Sequence, residues 1–180
     1  MAGVDRWVRA SDPAAVHALL VASDRATAGP DGEVPARNAA GTERAVAAGW
    51  VWVLRQDGVD VSMITVSPEW TGSPAVLEHF PATAAPRYMR RLAVLPELHG
   101  SGALLSVRTV RKALEIAAAD GGTAVRCETN PGDEGAVRVL RAVGFRRCGP
   151  EFGAPPRSAV LLHRPLLGGP DPSDDQRGDQ

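Results

Sequence analysis

The segment that most constrains this chain runs from Leu92 to Ala118. Leu92-Ala93-Val94-Leu95 is a short apolar run of strand type, and Pro96 stops it because proline cannot donate to a ladder. His99-Gly100-Ser101-Gly102 follows. Directly after it Leu104, Val107, Val110, Leu114, Ala117 and Ala118 recur at helical spacing, while Arg108, Arg111, Lys112 and Glu115 mostly take the other side. A strand that turns through Gly-x-Gly into a helix leaves the first N–H groups of the helix open beside a turn with no bulky side chains. Those groups carry the positive end of the helix dipole, so 98–104 reads as a cradle for a pyrophosphate. A purely structural tight turn is the alternative. Two other phosphate motifs are excluded. A P-loop needs Gly-Lys-Ser/Thr, and the only lysine is Lys112; the dinucleotide fingerprint needs a third glycine where Leu105 stands.

The flanking elements set the fold class. Arg6–Arg9 alternates as a strand. Asp12-Pro13 opens a helix in which Val16, Leu19, Leu20 and Ser23 share one side. Thr27–Pro35 reads as a loop. Arg37–Ala48 reads as a second helix, with Gly41 as a blemish and Gly49 as its stop. Trp50–Leu54 and Val59–Val66 form a hairpin about Gln56-Asp57-Gly58, with Val59, Val61, Met63 and Thr65 expected on one face. Thr71–Pro86 shows no period and reads as a long connection. Tyr88–Val94, Ala124–Thr129, Phe145–Cys148 and Ser158–His163 read as strands, and Glu134–Val143 as a helix closed by Gly144. A hairpin followed by alternating strands and helices predicts an α/β fold with a mixed sheet (α+β in character) and helices on both faces. One domain over 1–167 is expected, with a Gly/Pro/Asp-rich, disordered tail over 168–180.

Composition narrows the function classes. The formal net charge is −1, with no basic stripe, which argues against nucleic acid as a partner. Cys127 and Cys148 are far apart in sequence and outside any metal-ligand spacing, so they are expected to be reduced, packed thiols with no metal. No apolar run approaches the ~18 residues of a membrane span and no leader pattern is visible, so a cytoplasmic protein without membrane attachment is expected.

The run Arg90-Arg91-Leu92-Ala93-Val94-Leu95-Pro96-Glu97-Leu98-His99-Gly100-Ser101-Gly102-Ala103-Leu104-Leu105 resembles motif A of the GNAT acyltransferases, and Ala136 followed by Gly144-Phe145 is similar to their motif B. The resemblance is good from Tyr88 to Cys148 and is order-consistent before that. It implies a central, mostly antiparallel sheet whose fourth and fifth strands splay apart, with acetyl-CoA as co-substrate in the opening. Pantetheine would pair with the backbone of Leu92, Ala93 and Val94 as an added strand. The N–H groups from His99 through Gly100, Ser101, Gly102 and Ala103 to Leu104 would hold the pyrophosphate. Asn130 resembles a CoA-contacting asparagine, with a turn-forming role as the alternative. The activity implied is N-acetyltransfer from acetyl-CoA to an amine, on a small molecule or a peptide, by direct attack in a ternary complex. A catalytically silent acyl-CoA-binding or sensor module is the alternative. The family also makes a homodimer plausible.

The catalytic positions depart from the family pattern. Leu140 stands where many members place a tyrosine acid, and Tyr88 stands where many have an acidic base. Glu128 and Tyr88 are therefore the candidate catalytic residues. Transfer by positioning alone, with water taking the proton, is the other route. Glu69, Glu78 and His79 are candidate cleft residues, and Trp50, Trp52 and Trp70 a candidate acceptor wall or core packing. Asp31 and Glu33, in the loop where the family closes over substrate, would suit a cationic amine.

Overall fold

The computed structural model describes residues 5–28, 32, 34–99, 102–154 and 158–166. The predicted tail, and the candidate residues Asp31, Glu33, Gly100 and Ser101, lie outside them. In chain order the elements are β1 (Arg6–Arg9), α1 (Pro13–Ala28), α2 (Ala39–Ala47), β2 (Val51–Gln56), β3 (Val59–Ser67), β4 (Pro86–Val94), α3 (Gly102–Ala119), β5 (Ala124–Thr129), α4 (Glu134–Ala142), β6 (Arg146–Phe152) and β7 (Ala159–Pro165). The strands form a seven-stranded mixed sheet in the order β1-β2-β3-β4-β5-β7-β6. β1/β2, β2/β3, β5/β7 and β6/β7 pair antiparallel, and β4/β5 pair parallel. The chain divides into two compact units, Met1–Val66 with Arg90–Ala113, and Ser67–Met89 with Leu114–Gln180.

In the first unit, helices cover both faces of the strands. Val16, Leu19 and Leu20 of α1 and Ala45 of α2 pack with Val51, Val53, Met63 and Ala93, while Leu105 of α3 packs with Leu54, Val61 and Val94. Adjacent residues such as Val53 and Leu54 serve opposite faces because strand side chains alternate. α1 begins as expected: the Asp12 carboxylate accepts from the N–H groups of Ala14 and Ala15 at 2.9 and 3.1 Å. Asp57 and Gly58 both take positive φ, 49° and 84°, the geometry that a two-residue hairpin turn needs.

Several expectations change on folding. α2 starts at Ala39, not Arg37, because Asn38 caps it through the Gly41 N–H. The 71–86 connection contains a 310 turn at Pro74–His79, and β6 runs on to Phe152 past an irregularity between Cys148 and Glu151. The register of β2 with β3 shifts between Leu54↔Ser62 and Arg55↔Asp60, so Val61 is an extra residue. A bulge breaks the alternation. Val61 therefore faces α3 while Met63 faces α1 and α2, and the two do not share a face. On α3 the buried positions are Leu105, Thr109, Val110, Ala113, Leu114 and Ala117, whereas Leu104 and Ala118 are exposed. The apolar face is rotated from the predicted one because a hydroxyl, that of Thr109, is accommodated in the core.

Candidate active site

The turn expected to cradle a pyrophosphate, and β4 from Arg90 on, belong to the first unit. β4 contains a left-handed residue, Arg91, at φ 55°. A non-glycine residue there costs about 1 kcal/mol, so the surroundings must hold it. They do so on both sides of Ala93 and Val94. The Ser62 hydroxyl donates to the Ala93 carbonyl at 3.0 Å and lies 2.6 Å from the Thr109 hydroxyl, whose oxygen is 2.8 Å from the Leu105 carbonyl. Three short contacts share two hydroxyl hydrogens. With the Ser62 hydrogen given to Ala93, the Thr109 hydrogen is shared between the Leu105 carbonyl and the Ser62 oxygen. The Leu95 N–H meets the Val61 carbonyl at 2.9 Å.

Both backbone groups of Val94 are taken by side chains. Its N–H donates to Ser23 Oγ of α1 at 3.3 Å, and its carbonyl lies 3.0 Å from His99 Nε2. A carbonyl only accepts, so Nε2 carries a hydrogen in this contact. The chain leaves β4 through a 310 turn at Pro96–Leu98 and enters α3 at Gly102. Glu97 and His99 are exposed. Ala93 and Val94 are buried, but Leu92 is 37% and Leu104 76% exposed, two of the four large apolar side chains left open among the described residues.

Apart from Trp50 and Trp52, the remaining candidates among the described residues lie in the second unit. Parallel pairing of β4 with β5 joins Pro86–Tyr88 to Ala124–Arg126 and goes no further among the described residues. Tyr88 is buried. Its hydroxyl accepts from Arg126 Nη1 at 3.2 Å, and Arg126 Nη2 donates to the Pro81 carbonyl at 2.6 Å. The Arg126 guanidinium also lies 4.9 Å from the Phe80 ring centroid, and Trp70 packs against both Phe80 and Tyr88 at 5.9 and 5.4 Å. Tyr88 and Trp70 are thus parts of one aromatic cluster around a buried arginine. On the neighbouring strand, burial and then the Arg126 charge push the His163 pKa down. Burial pushes both thiols up, so Cys127 and Cys148 are held as neutral thiols.

Glu128 is exposed near the end of β5. Asn130 Oδ1 accepts from the Gly132 N–H at 2.8 Å, closing a turn, and Asp133 caps α4 through the Ala136 N–H at 2.9 Å. Leu140 is buried in α4. Glu69 and Glu78 are exposed, and His79 packs on Phe152 at 5.1 Å. In the first unit, Trp50 packs against the α1/α2 core and Arg9 lies 5.3 Å above Trp52. The Ser62–Thr109 pair, the two clasps on Val94 and the Arg126 cluster were missed from sequence. Their one visible signal was a threonine and a serine inside otherwise apolar segments.

No protein-family model matches the chain, and no curated protein matches it in sequence. Its shape is well matched. A GNAT-family acetyltransferase from Streptococcus agalactiae aligns with a TM-score of 0.65 at 17% identity, over 92% of this chain and 97% of that one. The chain has the GNAT acetyltransferase fold. The NatC complex bound to Gag peptide and CoA aligns at 0.68 with 14% identity, over 90% of this chain and 98% of that one. An agmatine N-acetyltransferase mutant in its apo form aligns at 0.63 with 15% identity, over 90% and 99%. In this GNAT-fold chain, the strand, turn and helix described above occupy the order that motif A predicts.

Proposed function

We propose that the chain is an N-acetyltransferase that moves the acetyl group of acetyl-CoA to an amine by direct attack in a ternary complex. The observation that carries this reading is the fold, matched over nine-tenths of the chain by acetyltransferases, one of them bound to CoA. The local geometry supports it. β4 leads through a short turn into a long helix whose first N–H groups suit a pyrophosphate. Leu92 and Leu104 stay exposed beside that turn, as contacts for the apolar stretches of a pantetheine arm.

In the reaction the neutral amine attacks the thioester carbon. The carbonyl oxygen gains charge and is met by backbone N–H groups of β4. The C–S bond then breaks, and the amine proton passes to the departing thiolate. Water carries that proton on its way. Tyr88 serves the fold instead: its buried hydroxyl is committed to Arg126. Acetyl-CoA is an activated donor, so holding the amine in line provides much of the rate.

One observation favours a second reading, a silent acyl-CoA-binding module: Leu140 fills, as a buried core residue, the place of the family's tyrosine acid. Calorimetry with acetyl-CoA, followed by free-thiol release across a panel of amines, separates them. Binding with acceptor-dependent release supports the transferase. Binding without release supports the silent module, and no binding removes both.

A further inference from the structure

The first unit also gathers positive charge at the start of α2. Arg91 runs from its left-handed position on β4 to the first turn of α2, where its Nη1 lies 3.4 Å from the Thr42 hydroxyl. The same hydroxyl is 3.4 Å from His17 Nδ1 of α1. A Cβ placed on Gly41 would stand 3.1 Å from Arg91 Nη2 and 3.8 Å from Arg44 Nη2. Two guanidinium tips thus converge on one spot, and a glycine keeps it open. Glycine inside a helix costs about 1 kcal/mol relative to alanine, so this opening has a stability cost.

Among the described residues, no acidic side chain answers these two charges. Arg37 is neutralised by a two-pronged pair with Asp24 at 2.6 and 2.8 Å. Among the described residues, no carboxylate pairs with Arg91 or Arg44. Burial first, and then the charges of Arg37 and Arg44, make Arg91 easier to deprotonate, so the cluster is under repulsion. The positive end of α2 adds to it. An anion bound here would relieve the repulsion and could be gripped by two planar forks.

We infer that Arg91 and Arg44 form a subsite for an anionic group carried by the acceptor, so that the preferred substrate is an amine bearing its own carboxylate or phosphate. This rests on the transferase reading, in which Leu92, the next residue along β4, lies beside the thioester arm. Arg91 and Arg44 are specificity-determining residues. They hold the acid end of the acceptor while its amine reaches along the strand.

The test uses matched pairs that differ by the acid group: arginine against agmatine, tyrosine against tyramine, phosphoethanolamine against ethanolamine. Binding to the free protein is measured by calorimetry, and thiol release from acetyl-CoA separately. The acid-bearing member of at least one pair is expected to bind about tenfold tighter or more, the size of one charge-assisted hydrogen bond. The carboxylate and phosphate pairs show which anion the subsite prefers. Arg91→Gln and Arg44→Gln should each erase most of that preference, and Arg91→Lys should keep part of it. Arg44 is exposed, so its variant keeps the fold even if Arg91→Gln does not.

Equal binding within every pair, preference for the plain amines, no binding of any member, or a preference that survives Arg44→Gln overturns the subsite. Thiol release that ignores the acid group would sink the subsite and leave the transferase standing. Arginine-dependent binding without thiol release from any pair would do the reverse.

Discussion

His99 Nε2 lies 3.0 Å from the Val94 carbonyl, so an exposed turn side chain occupies the β4 group that, in the proposed function, a pantetheine amide would use. Ser23 does the same for the Val94 N–H at 3.3 Å. Both polar backbone groups of Val94 are thus satisfied by the protein itself, and under the proposed function a strand-like ligand must displace both contacts. His99→Ala should therefore tighten acetyl-CoA binding about fivefold, corresponding to a hydrogen bond of roughly 1 kcal/mol that no longer has to be broken. Calorimetry checks it; weaker binding in the variant would mean that His99 donates to the ligand instead.

Gly102 is the first residue of α3. An aspartate there suits the positive helix end and should raise stability slightly, by about 0.5 kcal/mol. The same charge repels a pyrophosphate. Gly102→Asp is expected to melt no lower than the parent and to bind acetyl-CoA at least a hundredfold more weakly, about 2.7 kcal/mol. Retained affinity in a folded variant counts against the cradle.

The hydroxyls of Ser62 and Thr109 meet at 2.6 Å in the core. Ser62→Ala leaves the Ala93 carbonyl without its donor, and each single change should cost about 1–3 kcal/mol. The double variant with Thr109→Val should cost less than the two singles combined, with a coupling of about 1 kcal/mol. Urea midpoints for the four proteins give the cycle; simple additivity would show that the pair is not a unit.

Tyr88 separates a structural from a chemical role. Tyr88→Phe strips a buried guanidinium of one acceptor and should lower stability by about 1.5–3 kcal/mol. Turnover at saturating substrate should stay within about twofold, because the ring is packed in an aromatic cluster. A tenfold loss of kcat would restore Tyr88 as a catalytic residue.

His163 makes the fold acid-sensitive. Burial and Arg126 hold its folded pKa below the usual 6.5, and Arg146 faces it from β6. As pH falls below 6.5 the unfolded chain takes up this proton first. Stability present above that pH is then lost down to the folded pKa, with a slope of at most about 1.4 kcal/mol per pH unit. His163→Gln should shrink the drop in urea midpoint between pH 7.5 and 5; an unchanged drop would place the effect on other groups.

What the sequence determined by itself is local. Val16, Leu19, Leu20 and Ser23 were readable as one face of α1, Asp57-Gly58 as a hairpin turn, and Leu92 to Gly102 as a strand turning into a helix. Each depends on neighbours within four residues, where periodicity, capping and turn chemistry act before the chain closes. The site's finer geometry depends on pairs far apart in the chain. Ser62 and Thr109 are 47 positions apart, Tyr88 and Arg126 are 38, and Ser23 and Val94 are 71. The extra residue at Val61 helps decide which way this stretch of β3 faces, and the left-handed turn at Arg91 accompanies its guanidinium's approach to Gly41. Neither leaves a local pattern. A bulge or a strained residue is stable only when partners elsewhere in the chain hold it, and the fold alone brings those partners together.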